Sequence, residues 1–222
     1  MKVLGIETVT RIGSIALIED GEVRAQAEID TYLAHGTRLL PAIKVLLESV
    51  KVSLAEIDRI AVDIGPGSFT GIRVGIATAL GLAHGKKKVL AGVCSLDVLA
   101  RQMEEYACGG KVLVPVIDAK RGCVYTAFYK KENGMVAADI GPRVTETGIL
   151  LKNPPGNLFI FGPDMDKIAA LFMAVPGVEV DKDNTYPQAG MVGLIGEKKK
   201  DINGKLEPLY LHSIDLKMPE RK

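Results

Sequence analysis

Cysteine is scarce and odd in number: Cys94, Cys108 and Cys123 show no CxxC spacing, which argues against a disulfide framework or a cysteine zinc site and leaves buried free thiols. Long apolar runs are missing as well. Nothing approaches the roughly 20 residues that span a bilayer, and the opening MKVLGIET runs straight into a strand-like pattern without a separate signal-peptide stretch. A cytoplasmic location with no membrane partner is therefore expected. Charge of one sign is also lacking. The formal net charge is +1 and the lysines fall in short clusters at 86–88 and 198–200, so the broad basic footprint of a protein that grips RNA alone is absent. Any RNA would be held mainly through a partner.

The usual catalytic signatures are absent too. His35, His84 and His212 are solitary, with neither HxxxH nor HExxH, and each reads as a surface or capping residue rather than a metal ligand. No GxSxG occurs, so Ser14, Ser68 and Ser95 have no local partners for nucleophilic catalysis. The glycine-rich segments contain neither a Walker lysine nor GxGxxG.

What is present is an ordinary globular composition, 47% apolar and 25% charged, enough for one large domain or two lobes of about 100 residues each. Strand patterns at Val3 to Ile6, Ser14 to Ile18 and Glu22 to Ile29 are joined by a turn at Thr8 to Gly13 and by Asp20-Gly21, a strong hairpin signal. The same grammar returns about 110 residues later, with strands at Val112 to Ile117 and Cys123 to Tyr129, a turn at Asp118 to Gly122, Asn133-Gly134, and a weak strand after Met135. This recurrence predicts two similar lobes, 1–104 and 105–222. Between the meanders lie a helix after Thr37, a strand at Ile60 to Ile64, a helix from Phe69 to His84, a strand at Val89 to Gly92 and a helix from Leu96 to Tyr106. The order predicts a mixed α/β lobe of the actin-like ATPase class, duplicated.

Two helices carry unusual faces. The first places Leu39, Leu40, Ile43, Leu46, Leu47 and Val50 at helical spacing, with Pro41 tolerable only near its start. The second follows Gly65-Pro66-Gly67-Ser68, where Ser68 or Thr70 is placed to cap free amides, and Arg73 is its only charge up to Ala83. Gly71, Gly75, Ala79 and Ala83 form a row of small residues beside an apolar row of Ile72, Ile76 and Leu80. A helix apolar nearly all round must be covered on more than one side, which leaves open burial within the lobe or helix-to-helix docking between protomers. The glycine-rich turn permits tight packing or, more weakly, a phosphate cradle. Glu7 and Asp118, in the paired turns, read as turn-forming carboxylates rather than holders of hydrated magnesium.

Together, VLGIET, His35-Gly36 ahead of TRLLPAIKVLL, GPGSFTGIRVG at 65–75, Cys94-Ser95-Leu96 and IDAKRGCVYTAFY at 117–129 resemble the TsaB (YeaZ-like) family. The resemblance implies a duplicated actin-like (ribonuclease H-like) fold and a non-catalytic subunit with no cofactor of its own. It implies docking onto a TsaD-like catalytic subunit and recruitment of a TsaE-like ATPase. The complex uses ATP and magnesium to place threonylcarbamoyl on an adenosine beside the anticodon of tRNA. Carried onto this chain, the docking residues are His35, Leu39, Leu40, Ile43, Leu47, Phe69, Gly71, Ile72, Arg73, Gly75, Ile76 and Ala79. Glu7, Ser68, Asp118 and Arg121 are weaker candidates for nucleotide or interface contacts. The chain departs from the family pattern at Glu7, where Asp is frequent, at Gly36 and at His212. Alternatives are an actin-like phosphotransferase or ATPase, and a homodimeric scaffold formed when the partner is absent.

Overall fold

The computed structural model describes residues 1–30, 35–84, 88–150, 156–173, 175–201 and 205–211; the side chains of His35 and Gly36, together with Lys86, Lys87 and His212, lie outside the described residues. β1 (Lys2–Glu7), β2 (Ile12–Glu19) and β3 (Glu22–Asp30) form the expected antiparallel meander, and Asp20 and Gly21 both take positive φ in its hairpin turn. α1 (His35–Ser49) then leads to β4 (Arg59–Asp63), α2 (Phe69–Ala83) and β5 (Val89–Val93). α1 starts ahead of the expected point, so Pro41 stands within the helix, on its exposed side. β4 and β5 add in parallel, giving the order β3-β2-β1-β4-β5.

The second half repeats this design. β6 (Val112–Lys120), β7 (Cys123–Glu132) and β8 (Met135–Glu146) make another meander through Asn133-Gly134, again with both residues at positive φ. β9 (Leu158–Gly162) and β10 (Val178–Asn184) add in parallel on the far side of β6, so the sheet reads β8-β7-β6-β9-β10. Two mixed sheets of identical order establish the duplicated actin-like fold. β8, expected to be weak, is 12 residues long. The helix expected from Leu96 to Tyr106 is instead α3 (Ser95–Gln102), broken at Met103 and followed by a separate 3-10 turn at Glu104–Tyr106.

Strand alternation decides what packs where. Leu4, Ile6, Ile60 and Val62 face α1 and α2, while Val3, Ala61 and Ala91 face the opposite way, toward α6 (Ala189–Glu197). α6 belongs to the second half of the chain but lies on the first sheet. Small residues allow this close approach: a Cβ on Gly5 would collide with the Ala189 carbonyl oxygen, and one on Gly193 with the Ile18 side chain. Ser14 Oγ accepts from the Ala189 amide at 2.8 Å and Gln26 Oε1 from the Gly190 amide at 2.8 Å, satisfying the free donors at the start of α6. In return α3 turns Leu96, Leu99 and Ala100 onto the second sheet, against Leu113, Ile117 and Phe161. The other face of that sheet is covered by α4 (Thr147–Leu150) and α5 (Met165–Ile168). The halves thus clasp one another through exchanged helices. Tyr129 adds a polar tie, donating to Asp97 Oδ1 at 2.8 Å.

Candidate functional site

The two meander turns face each other across a cleft of about 450 Å³. Val9, Thr10 and Arg11 line it from the first turn, Ser68 and Phe69 from the start of α2, and Asp118 and Lys120 from the second half. In this architecture such a cleft is where backbone amides would cradle an anion. Here four of those amides, on Val9, Thr10, Ser68 and Gly71, already have acceptors. Glu7 Oε1 accepts from the Val9 amide at 2.7 Å and the Thr10 amide at 3.1 Å, with the Thr10 hydroxyl at 3.3 Å. At the start of α2 the Ser68 amide donates to the Val9 carbonyl at 2.8 Å, and Ser68 Oγ accepts from the Gly71 amide at 3.2 Å. Ser68, not Thr70, is the cap.

Backbone packing closes the region further. Thr8 Oγ1 donates to the Gly71 carbonyl at 2.8 Å, and Cβ atoms on Gly67 and Gly71 would run into the Val9 and Thr8 carbonyl oxygens. Gly67 and Gly71 of the GPGSFTG stretch therefore serve close approach between α2 and the β1–β2 turn, whereas Gly65 takes positive φ against the Ile72 side chain. Across the cleft, Asp118 Oδ1 accepts from the Lys120 amide at 2.7 Å and Oδ2 meets Lys120 Nζ at 2.6 Å. Partial burial pushes the Asp118 pKa up, but these Lys120 contacts outweigh it and hold the carboxyl below the ordinary range. Arg121 is exposed at the hairpin tip with positive φ and does not line the cleft.

Beneath the first turn lies a feature that sequence reasoning missed. Asp63 ends β4 beside Glu7 at the end of β1, and both are fully buried. Asp63 Oδ1 accepts from Ser95 Oγ at 2.7 Å and the Gly65 amide at 2.8 Å. Burial, then the negative charge of Asp63, pushes the Glu7 pKa well up; burial raises Asp63 to about 7 against the opposing hydrogen bonds from Ser95 and Gly65. A carboxylate directly after the apolar run Ile60 to Val62 was the signal available in the sequence.

The docking candidates divide into two groups. Gly71, Ile72, Gly75, Ile76 and Ala79 turn inward: a Cβ on Gly75 would sit 2.5 Å from Thr8 Oγ1. Of the two readings left open for the small-residue row, Gly71, Gly75 and Ala79 take the first, packed against the chain's own turn and strands. Leu39, Ile43 and Leu47 are likewise buried. The outward sides carry Leu40 (50% exposed) and Val45 (65%) on α1, and Phe69 (53%), Arg73 and Leu80 (38%) on α2. Leu40, Ile43 and Leu47 also line a groove of about 630 Å³ with Leu54 and Leu82. At the cleft end of α2, Arg73 lies 3.8 Å over the Phe69 ring and Tyr210 stacks on that ring at 5.3 Å, bringing the segment 205–211 onto the helix. The thiols differ from expectation at one position. Cys94 and Cys123 are buried, but Cys108 is exposed in the loop after the 3-10 turn. Among the described residues no helix is long and apolar enough to cross a membrane.

Comparison with known proteins agrees with this architecture. The family model for TsaD, tRNA N6-adenosine threonylcarbamoyltransferase, matches residues 30–189. The tRNA threonylcarbamoyladenosine biosynthesis protein TsaB of Bacillus subtilis is 35% identical over 95% of this chain and 94% of its own length. TsaB of Escherichia coli is 40% identical over 61% of this chain, a match that spans 58% of that relative. Among solved structures, a Pseudomonas aeruginosa protein described as similar to peptidase YEAZ superposes with TM-score 0.79 at 25% identity, covering 95% of this chain and 99% of that one. YeaZ from Pseudomonas aeruginosa gives TM-score 0.71 at 26% identity over 86% and 88%. With the fold and a sequence likeness over nearly the whole length in agreement, the chain belongs to the TsaB (YeaZ) family of tRNA threonylcarbamoyladenosine biosynthesis proteins.

Proposed function

We propose that this chain is the non-catalytic subunit of the assembly that places threonylcarbamoyl on tRNA. On this reading it supports a TsaD-like catalytic subunit and helps recruit a TsaE-like ATPase. The observation that carries it is the capture of the Val9 and Thr10 amides by Glu7. A nucleotide phosphate would have to displace the buried Glu7 carboxyl and break its hydrogen bonds from the Val9 and Thr10 amides to reach the turn. It would then face the adjacent Asp63, a like charge in a low-dielectric setting. ATP and magnesium accordingly belong to the partners, and tRNA reaches the chain through the complex.

The same geometry suits a docking subunit. α1 and α2 cover one face of the first sheet and turn away from it an outer surface on which Leu40, Val45, Phe69 and Leu80 are exposed among Arg38, Lys44, Glu48 and Arg73. Buried helix contacts of this kind supply interface cores. The inward row of Gly71, Gly75 and Ala79 then acts indirectly, seating α2 tightly so that its outer side is held rigid. Self-association through the same surface is the expected behaviour when the partner is missing. Calorimetric titration of the lone chain with magnesium-ATP tests the reading: no heat of binding is expected at concentrations up to about 1 mM, the upper range of ordinary enzyme KM values. Binding with turnover would assign the chain to the phosphotransferase or ATPase class instead.

A further inference from the structure

Glu7 and Asp63 each have one carboxylate oxygen engaged and one, Oε2 and Oδ2, buried without a hydrogen-bond partner. β1 and β4 are parallel neighbours whose pairing runs through Ile6 with Val62, so the next residues, Glu7 and Asp63, stand side by side on the same face. Two orphaned acceptors on adjacent side chains, closed off from water, present no donor between them unless one carboxyl keeps its proton.

We propose that Glu7 and Asp63 hold a single proton between them, the Glu7 carboxyl donating from Oε2 to Oδ2 of Asp63. The pair then carries one negative charge and all four oxygens are engaged. The surrounding groups favour this count. Asp63 faces Ser95 Oγ and the Gly65 amide, and more distantly Asp97 and Cys94 of the α3 region and the Lys199 ammonium after α6. Lys199 is engaged at 3.1 Å by the Gly92 carbonyl, and Arg73 of α2 points outward. Glu7 and Asp63 thus take their hydrogen bonds from amides and hydroxyls, and Lys199 acts on Asp63 only from a distance.

The shared proton joins three parts of the molecule. Through Glu7 it holds the β1–β2 turn, through Asp63 the Gly65–Ser68 loop that opens α2, and through Ser95 the start of α3. Release of the proton to solvent leaves two like charges buried against each other and strains all three. In the unfolded chain both carboxyls ionise in the ordinary carboxylate range, so above that range the folded state binds more protons than the unfolded one. Stability contributed by the pair is therefore fully present below the ordinary carboxylate range and declines as pH rises above it and through 7. Its bearing on docking rests on the function proposed above; the proton itself does not.

Carbon-detected NMR of the full chain, labelled and titrated from pH 4 to 9, reads the pair directly. The Glu7 and Asp63 carboxyl carbons are expected to move in two coupled steps, with one proton still held at pH 7. Glu7→Gln keeps the acceptor for Val9 and Thr10 and gives Asp63 a permanent N–H donor. In that variant Asp63 should titrate once, at lower pH than the second step of the pair. Between pH 6 and 9 the wild-type Tm should fall ~5 °C further than that of Glu7→Gln. Both carboxyls fully ionised by pH 6 would overturn the proposal, as would parallel pH profiles of the two proteins. Carboxyl shifts at pH 7 on adding millimolar magnesium would replace the proton with a cation. Should Glu7→Gln fail to fold, the wild-type titration alone decides.

Discussion

The same substitution at two glycines of one helix is expected to act in opposite directions. Gly71 stands in the first turn of α2 and Gly81 in its last, and in a peptide each change to Ala would favour the helix by about 0.5–1 kcal/mol. At Gly81 nothing lies within 4 Å of the added methyl, so Gly81→Ala should stabilise by about that amount. At Gly71 the methyl collides with the Thr8 carbonyl oxygen and lies 3.0 Å from its carbon, backbone atoms that no rotamer change can move. The helix must draw back from the β1–β2 turn, weakening the Thr8 hydroxyl bond to the Gly71 carbonyl and the Ser68 amide bond to the Val9 carbonyl. Overpacking costs about 1–3 kcal/mol and each lost hydrogen bond about 1 kcal/mol, against which helix propensity returns up to about 1 kcal/mol. A net loss of about 2–4 kcal/mol follows, or roughly 5–15 °C in Tm for a chain of this size. Urea and thermal unfolding followed by circular dichroism measure both variants. If Gly71→Ala is neutral or stabilising, the tight seat of α2 on the turn is wrong, and the small-residue row is free to meet another protein.

Other perturbations read other parts of the account. Ser14→Ala removes the acceptor for the buried Ala189 amide and should cost about 1–2 kcal/mol in urea unfolding, because one buried donor at the start of α6 is left unmet; Thr at the same position should recover part of the loss. In the native protein an aromatic disulfide reagent should titrate Cys108 alone, since Cys123 is buried and burial pushes the Cys94 thiol up to about 12; rapid labelling of Cys94 would show that the β5–α3 junction opens. Tyr129→Phe should cost about 1–2 kcal/mol in the same unfolding assay by leaving Asp97 without its donor, and an unchanged midpoint would remove this tie between the halves.

Local signals announced much of the fold. Asp20-Gly21 and Asn133-Gly134 mark both hairpins because only such pairs readily take two positive φ values in succession. Their recurrence exposed the duplication. The break at Met103 left no such mark, since no Gly or Pro precedes it and tertiary packing of Leu99 and Ala100 decides where α3 stops. Nor does AGMVGLIGE say which sheet it covers; the fit of Gly193 over Ile18 joins residues far apart in the chain. Both helices were legible as helices, but in α2 a sequence apolar nearly all round does not tell its inner row from its outer one. Gly71, Gly75 and Ala79 allowed either burial or a seam, and it is Thr8, packed against Gly71 and Gly75, that shows the row turned inward. Asp63 escaped notice because its meaning depends on β1 lying beside β4, a pairing that spacing alone cannot specify.

The most direct test of the docking account is the mass, by light scattering, of this chain mixed with a TsaD-type subunit from the same genome. Wild type should form a complex with the mass of a heterodimer or a whole multiple of it. A Val45→Glu, Leu80→Glu double variant places one charge on the outer side of each helix, at positions outside the core, and should stay folded within about 1 kcal/mol yet lose the complex. Absence of a wild-type complex, or an equally tight one from the folded variant, would contradict the account.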